Sequence, residues 1–146
     1  MHASALPTPP RPTGSRALSI RVYYEDTDAA GVVYYASYWR FCERARTEWL
    51  RERGFDQQAL IDDSGIAFVV RTVHGDYLKP ARLDDVLSVT TRVDTLRRAS
   101  LSFTQQICRG QELLFAATVT VACLDTRRGR PAAIPATIIE TLTPQS

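Results

Sequence analysis

Two carboxylates stand directly before a helical pattern in the segment YYEDTDAAGVVYYASY at residues 23–38. Asp26 and Asp28 precede a small-residue turn that contains Gly31. The first amides of a helix have no acceptor within it and carry the positive end of its dipole, so they polarise a carbonyl and stabilise an oxyanion. A carboxylate beside them serves as nucleophile or as general base on water. This pattern indicates hydrolysis of an ester or thioester.

The same spacing also has a purely structural interpretation. Aspartate is common in turns and at helix caps, and glycine permits a tight bend. Histidine offers little alternative chemistry, because His2 and His74 are the only two in the chain. We therefore expect no metal site and no cofactor.

Length and composition exclude several other classes of protein. The chain has 146 residues, of which 45% are hydrophobic and 23% charged, as expected for one globular domain. Its 18 basic and 16 acidic residues are mixed along the chain, so nucleic-acid binding is not expected. The three cysteines form no CxxC pair, and neither a secretory signal nor a membrane span is visible. We expect a cytoplasmic protein.

Hydrophobic periodicity predicts one long helix followed by strands. Residues 1–16 hold four of the eight prolines and are predicted to be a flexible tail, leaving one domain at residues 17–146. A helical face formed by Tyr38, Phe41, Cys42, Ala45 and Trp49 predicts a helix at residues 36–53. An α+β hot-dog fold, an antiparallel sheet wrapped around this helix, would hide that face. Strands are predicted at residues 17–25, 67–77, 86–96, 100–108 and 112–124, with shorter elements at 56–63 and near Ile138.

Several motifs resemble one family. The sequences YYEDTDAAGVVY at residues 23–34 and ERARTE at residues 43–48 resemble the hot-dog acyl-CoA thioesterases of the 4-hydroxybenzoyl-CoA thioesterase superfamily. Within it they resemble the YbgC-like branch associated with the Tol-Pal cell-envelope system. The likeness covers about residues 19–142, through FVVR, PARLDD and FTQ. It implies hydrolysis of acyl-CoA to a carboxylate and free CoA.

The resemblance also implies roles for single residues. The catalytic carboxylate would be Asp28, as nucleophile or general base, and the Tyr35 N–H would polarise the thioester carbonyl. Close relatives commonly carry histidine where Tyr35 stands, an exchange that a main-chain donor survives. The remaining predicted substrate contacts are Gly31, Val33, Tyr34, Arg97 and Arg98. The two arginines resemble a run in the aromatic-acyl branch and suit CoA phosphates, although they equally suit a solvated turn.

The remaining expectations concern the assembly of the protein and its alternative functions. Exposed strand edges are usually paired or covered, and the resemblance implies a homodimer or homotetramer with residues 68–77 near the partner's site. The acyl group is carried by CoA or by acyl carrier protein. A hot-dog dehydratase would need a catalytic histidine, for which only His74 is available. The other alternative is a non-catalytic acyl-CoA-binding or envelope-associated module.

Overall fold

The structure, a computed structural model, describes residues 17–143 of the chain. This part contains six strands and three α-helices. The predicted tail at residues 1–16 lies outside these residues. The helices are α1 (Tyr35–Glu52), α2 (Gln57–Ala59) and α3 (Ala136–Leu142), with a 3-10 turn at Tyr24–Asp26 and a π-type turn at Leu60–Ser64. The strands are β1 (Leu18–Arg21), β2 (Ile66–Tyr77), β3 (Val86–Leu96), β4 (Ser100–Arg109), β5 (Glu112–Asp125) and β6 (Arg130–Pro131).

All strand pairs are antiparallel, and the strand order is β1-β3-β4-β5-β2, with β6 beside the end of β5. The β4–β5 hairpin closes where the sequence predicts it, with Arg109 opposite Glu112 and Gly110 in the left-handed region at φ 61°. Within residues 17–143, β2 pairs only with β5. The other edge of this 12-residue strand is open.

The sheet curls around α1 and buries the predicted helical face. Tyr38, Phe41, Cys42, Ala45 and Trp49 are all buried. The first half of α1 packs on Leu87, Ile107 and Phe115, and the second half on Leu101, Phe103 and Val119. Complete burial of each of these phenylalanines contributes about 1.5–3 kcal/mol to folding. The predicted α+β arrangement of a sheet around one helix is confirmed.

One predicted element is shorter than expected. The first strand ends at Arg21 instead of continuing to Glu25, because residues Tyr24–Asp26 form a 3-10 turn. That turn leads the chain from the sheet to the start of α1. No helix in residues 17–143 is long and apolar enough to cross a membrane.

Candidate active site

The start of α1 lacks the features that usually satisfy a helix N-terminus. Tyr34 precedes the first helical residue, caps no amide with its side chain, and the first turn contains no acidic residue. The first amides of a helix need acceptors from outside the helix. The Tyr35 N–H therefore has no acceptor within the helix and lies at the positive end of the dipole of an 18-residue helix.

Asp26 fastens this helix start to the preceding turn. The residue is 4% exposed, and one of its carboxylate oxygens accepts a hydrogen bond from the Tyr23 N–H at 2.8 Å. Its main-chain carbonyl accepts from the Tyr34 N–H at 2.9 Å and from the Ser37 hydroxyl at 3.2 Å. Asp26 is thus fully engaged in holding the backbone.

Asp28 lies in the adjoining loop, and its side chain is exposed. Its Oδ1 accepts from the Ala30 N–H at 2.9 Å and from the Val32 N–H at 3.4 Å. Gly31, at φ 80°, donates its N–H to the Asp28 carbonyl at 3.0 Å, which closes the turn. Both side-chain contacts involve Oδ1, so the loop orients the carboxylate while leaving it accessible to substrate and water.

An open groove of about 330 Å³ lies beside the helix start, and Tyr35 forms part of it. Tyr34 packs on Tyr35 with ring centroids 4.6 Å apart, and Tyr77 meets Tyr35 edge-on at 6.5 Å. A hydrogen bond with the Tyr35 side chain raises the pKa of Tyr34. The complete lining is Val33, Tyr35, Tyr38, Tyr77, Leu78, Lys79 and Pro80. Asp28 adjoins this groove through the loop but does not line it.

Tyr77 lies beside the helix start of its own chain, a contact that the sequence does not predict, since the resemblance implies that residues 68–77 lie near the partner's site. Its hydroxyl accepts from Trp39 Nε1 at 2.8 Å and donates to the Tyr35 carbonyl at 3.4 Å. Gly75 makes room for this contact, because a Cβ there would lie 2.7 Å from the Trp39 ring. The available signal was a glycine inside a predicted strand, which often marks a close approach.

Arg97 and Arg98 are not brought to this site within one chain. They are exposed in the β3–β4 turn, where the Arg97 N–H donates to Ser100 O and the Arg98 carbonyl accepts from Ile134 N. Ile134 packs with Trp49 and Leu50, in the last turns of α1. An 18-residue helix is about 27 Å long, so the two arginines lie far from Tyr35.

Other reactive side chains offer less for catalysis than Asp28 does. Burial raises the pKa of Cys42 to about 12, so its thiol is a core group as the sequence indicates. Residues 17–143 contain no group of three His, Cys, Asp or Glu side chains arranged to hold a metal ion.

Known proteins resemble both the sequence and the fold. Residues 22–142 match the model of the thioesterase-like superfamily. The chain belongs to this superfamily. It is 51% identical over 121 residues to the acyl-CoA thioester hydrolase YbgC of Escherichia coli, an alignment that covers 82% of this chain and 90% of the relative. With the acyl-CoA thioesterase YbgC of Haemophilus influenzae it shares 50% identity over 116 residues, 80% of this chain and 85% of the relative.

Solved thioesterase structures have the same fold. A probable thioesterase from Bartonella henselae superposes with a TM-score of 0.78 at 36% identity, covering 83% of this chain and 99% of that one. A 4-hydroxybenzoyl-CoA thioesterase reaches a TM-score of 0.82 at 24% identity, covering 90% and 100%. The predicted hot-dog fold and the resemblance to YbgC-like thioesterases are therefore confirmed.

Proposed function

We propose that this thioesterase hydrolyses acyl-CoA at the start of α1, with Asp28 as the catalytic carboxylate and the Tyr35 N–H as oxyanion donor. The observation that carries the proposal is the uncapped, acid-free N-terminus of an 18-residue helix beside the exposed Asp28 loop. A negatively charged tetrahedral oxygen is stabilised by this positive helix end more than the neutral thioester carbonyl is. The names of the YbgC relatives support the acyl-CoA substrate.

Two routes give the same products. As general base, Asp28 removes a proton from water while the water oxygen attacks the thioester carbon. The C–S bond then breaks, and the proton passes to the departing thiolate. As nucleophile, the Asp28 carboxylate displaces the thiolate to form an anhydride. Water then hydrolyses the anhydride to the free acid and the original carboxylate, and the proton released in this step passes to the thiolate.

Substitution of Asp28 by Asn tests this assignment. The variant lacks the carboxylate that both routes need, so the rate of thiol release should fall by about two to four decades. The assay measures release of free CoA from short, long and aromatic acyl-CoAs. Glu25→Gln is the matched control, because Glu25 is an exposed carboxylate of the same segment and should keep full activity. Near wild-type turnover in Asp28→Asn would refute the role of Asp28.

We also propose that the remaining predicted contacts bind substrate around this carbonyl. Gly31 shapes the Asp28 loop, Val33 lines the groove, and Tyr34 packs on Tyr35. Binding of the CoA phosphates by Arg97 and Arg98 requires a second copy of the chain, since both residues lie near the other end of α1. The same acyl group offered on CoA and on acyl carrier protein would identify the preferred carrier.

A dehydratase is less well supported by the structure than a thioesterase. His74 pairs with Thr118 in the β2–β5 register, whereas the neighbouring Val73 and Gly75 pair with the buried Val119 and Ala117. Because successive side chains of a strand alternate between faces, His74 lies on the face of the sheet that points away from α1. Its side chain is 76% exposed, far from an enclosed proton-transfer site.

Cytoplasmic localisation and assembly belong to the same proposal. Cys42, Cys108 and Cys123 are all free thiols, which suits a reducing compartment. The open edge of β2 is suited to pairing with a second copy, as a homodimer or as half of a homotetramer. The association with the Tol-Pal system stays a prediction from the resemblance.

A further inference from the structure

A second groove runs between α1 and the inner face of the edge strand β2. It measures about 340 Å³ and meets a narrower cavity of about 100 Å³, with which it shares Glu43, Arg46 and Val70. At its other end lies Trp39, whose indole is hydrogen-bonded to Tyr77 of the first groove. The second groove therefore begins at the Trp39–Tyr77 contact and follows α1 away from Tyr35. The lining of the second groove is Trp39, Arg40, Glu43, Arg46, Val70 and Val73.

Arg46 is unusual among the residues that line the second groove, because it is a buried cation. It is 9% exposed, and its guanidinium donates to Gln105 Oε1 at 3.0 Å. Gln105 is also buried, and its amide donates to the Cys42 carbonyl and the Thr91 hydroxyl, each at 2.9 Å. The acceptor found for the Arg46 cation is thus a neutral amide.

In the part of the chain that the structure describes, no salt bridge with a carboxylate balances the charge of Arg46. Among the ion pairs of residues 17–143, none involves Arg46. Burial lowers the pKa of Arg46, yet an arginine stays protonated in proteins. A buried cation without an anion in direct contact is costly. The feature is explained if a ligand supplies an anion that contacts the guanidinium.

Glu43 attracts the Arg46 cation and raises its pKa, but the two side chains form no ion pair. Glu43 is exposed, and its carboxylate accepts a hydrogen bond from the Thr47 hydroxyl at 2.6 Å. With Arg40 and Arg46 on the same wall, the groove has two cations against one anion. Val70, Val73 and the Trp39 ring make the rest of the wall apolar. The combination suits a hydrocarbon chain that ends in a negative group.

We propose that Arg46 binds a terminal carboxylate on the acyl group, so that the preferred substrates are medium-chain ω-carboxyacyl thioesters. This inference rests on the proposed function, which places the thioester carbonyl at Tyr35. Arg46 follows Tyr35 by eleven residues, or about 16 Å of helix rise. Its side chain leans back toward the helix N-terminus, which shortens that span. Short acyl groups do not reach it.

The test compares acyl-CoAs of equal medium chain length that end in a methyl group or in a carboxylate. For the wild-type protein, kcat/KM should favour the carboxylate-ended substrate by about tenfold or more, the scale of a charge-assisted hydrogen bond. Arg46→Met keeps the bulk of the side chain and should abolish this preference. Glu43→Gln alters an exposed side chain, removes the competing negative charge and should enlarge the preference.

A binding measurement keeps the inference testable if a variant folds poorly or no thioester is cleaved. Calorimetric titration of the wild-type protein with a medium-chain dicarboxylic acid and with the monocarboxylic acid of equal length should show tighter binding of the diacid. Equal affinities and equal kcat/KM values would overturn the subsite. Loss of activity toward both substrates alike in a folded Arg46→Met protein would also overturn it, indicating a role in binding CoA. Absence of all thiol release would instead contradict the proposed function.

Discussion

At the scale of single residues, two aspartates in one short motif have different environments. Asp26 is buried and bonded to the backbone of Tyr23 at 2.8 Å. Asp28 is exposed, and its contacts lie within its own loop. The structure thus separates a side chain that stabilises the loop from one that is accessible to a substrate. Assignment of chemistry to Asp28 follows from this difference together with the family resemblance.

Stability measurements on Asp26→Asn and Asp28→Asn should reproduce this difference between the two aspartates. Asp26→Asn weakens a buried, charge-assisted hydrogen bond and should lower the free energy of unfolding by about 1–2 kcal/mol. Asp28→Asn changes an exposed position and should alter it by less than about 0.5 kcal/mol. Urea denaturation of both variants measures these values. Equal destabilisation would mean that both carboxylates mainly support the loop.

At the scale of secondary structure, a bulge and a glycine bring β2 to the helix start. Opposite Ile107 and Cys108, the extra residue on β5 is Leu114, whose carbonyl accepts from the amides of Leu78 and Lys79 at 2.8 and 3.1 Å. This anchors two groove residues directly after β2. Gly75 then admits the Trp39 ring, and Tyr77 reaches the first turn of α1. Strand β2 therefore contacts the helix end that carries the proposed oxyanion donor.

Removal of the Tyr77 hydroxyl tests whether this contact positions the site. Tyr77→Phe loses one acceptor for Trp39 and one donor to Tyr35, so we expect kcat to fall about tenfold with little change in KM. The Trp39 fluorescence should shift at the same time, because its indole N–H loses its protein partner. Tyr24→Phe, at a tyrosine that is 83% exposed, is the control. If Tyr77→Phe matches that control in both readouts, β2 does not position the site.

At the scale of the whole molecule, the open edge of β2 is the most conspicuous surface. Val69, Val70, Val73 and Tyr77 are between 41% and 53% exposed along this strand. An exposed apolar edge usually avoids aggregation by being covered or paired. Pairing of two copies along β2 would cover it, and would also bring a second set of arginines toward each site.

Charge placed on that edge should separate the subunits. Val69→Lys puts like charges together wherever two β2 edges meet, so the molar mass in solution should fall to that of one chain. Size-exclusion chromatography with light scattering measures the mass. Thr118→Lys carries the same charge on the exposed outer face of the central sheet and should leave the β2 pairing intact. A multimer that persists in Val69→Lys would show that β2 is not the interface.

Local patterns in the sequence determined the elements and the motif, whereas the tertiary structure decided which distant residues meet. The helical face from Tyr38 to Trp49, the hairpin at Gly110 and the carboxylates before α1 are short-range features, so their periodicity and spacing are visible in the chain itself. Burial of both Leu114 and its neighbour Phe115 depends on a bulge. The contact between Tyr77 and Trp39, the burial of Arg46 against Gln105, and the separation of Arg97 from Tyr35 depend on strand register and sheet curvature. These are set by how the whole sheet closes around α1, and no local pattern contains that information.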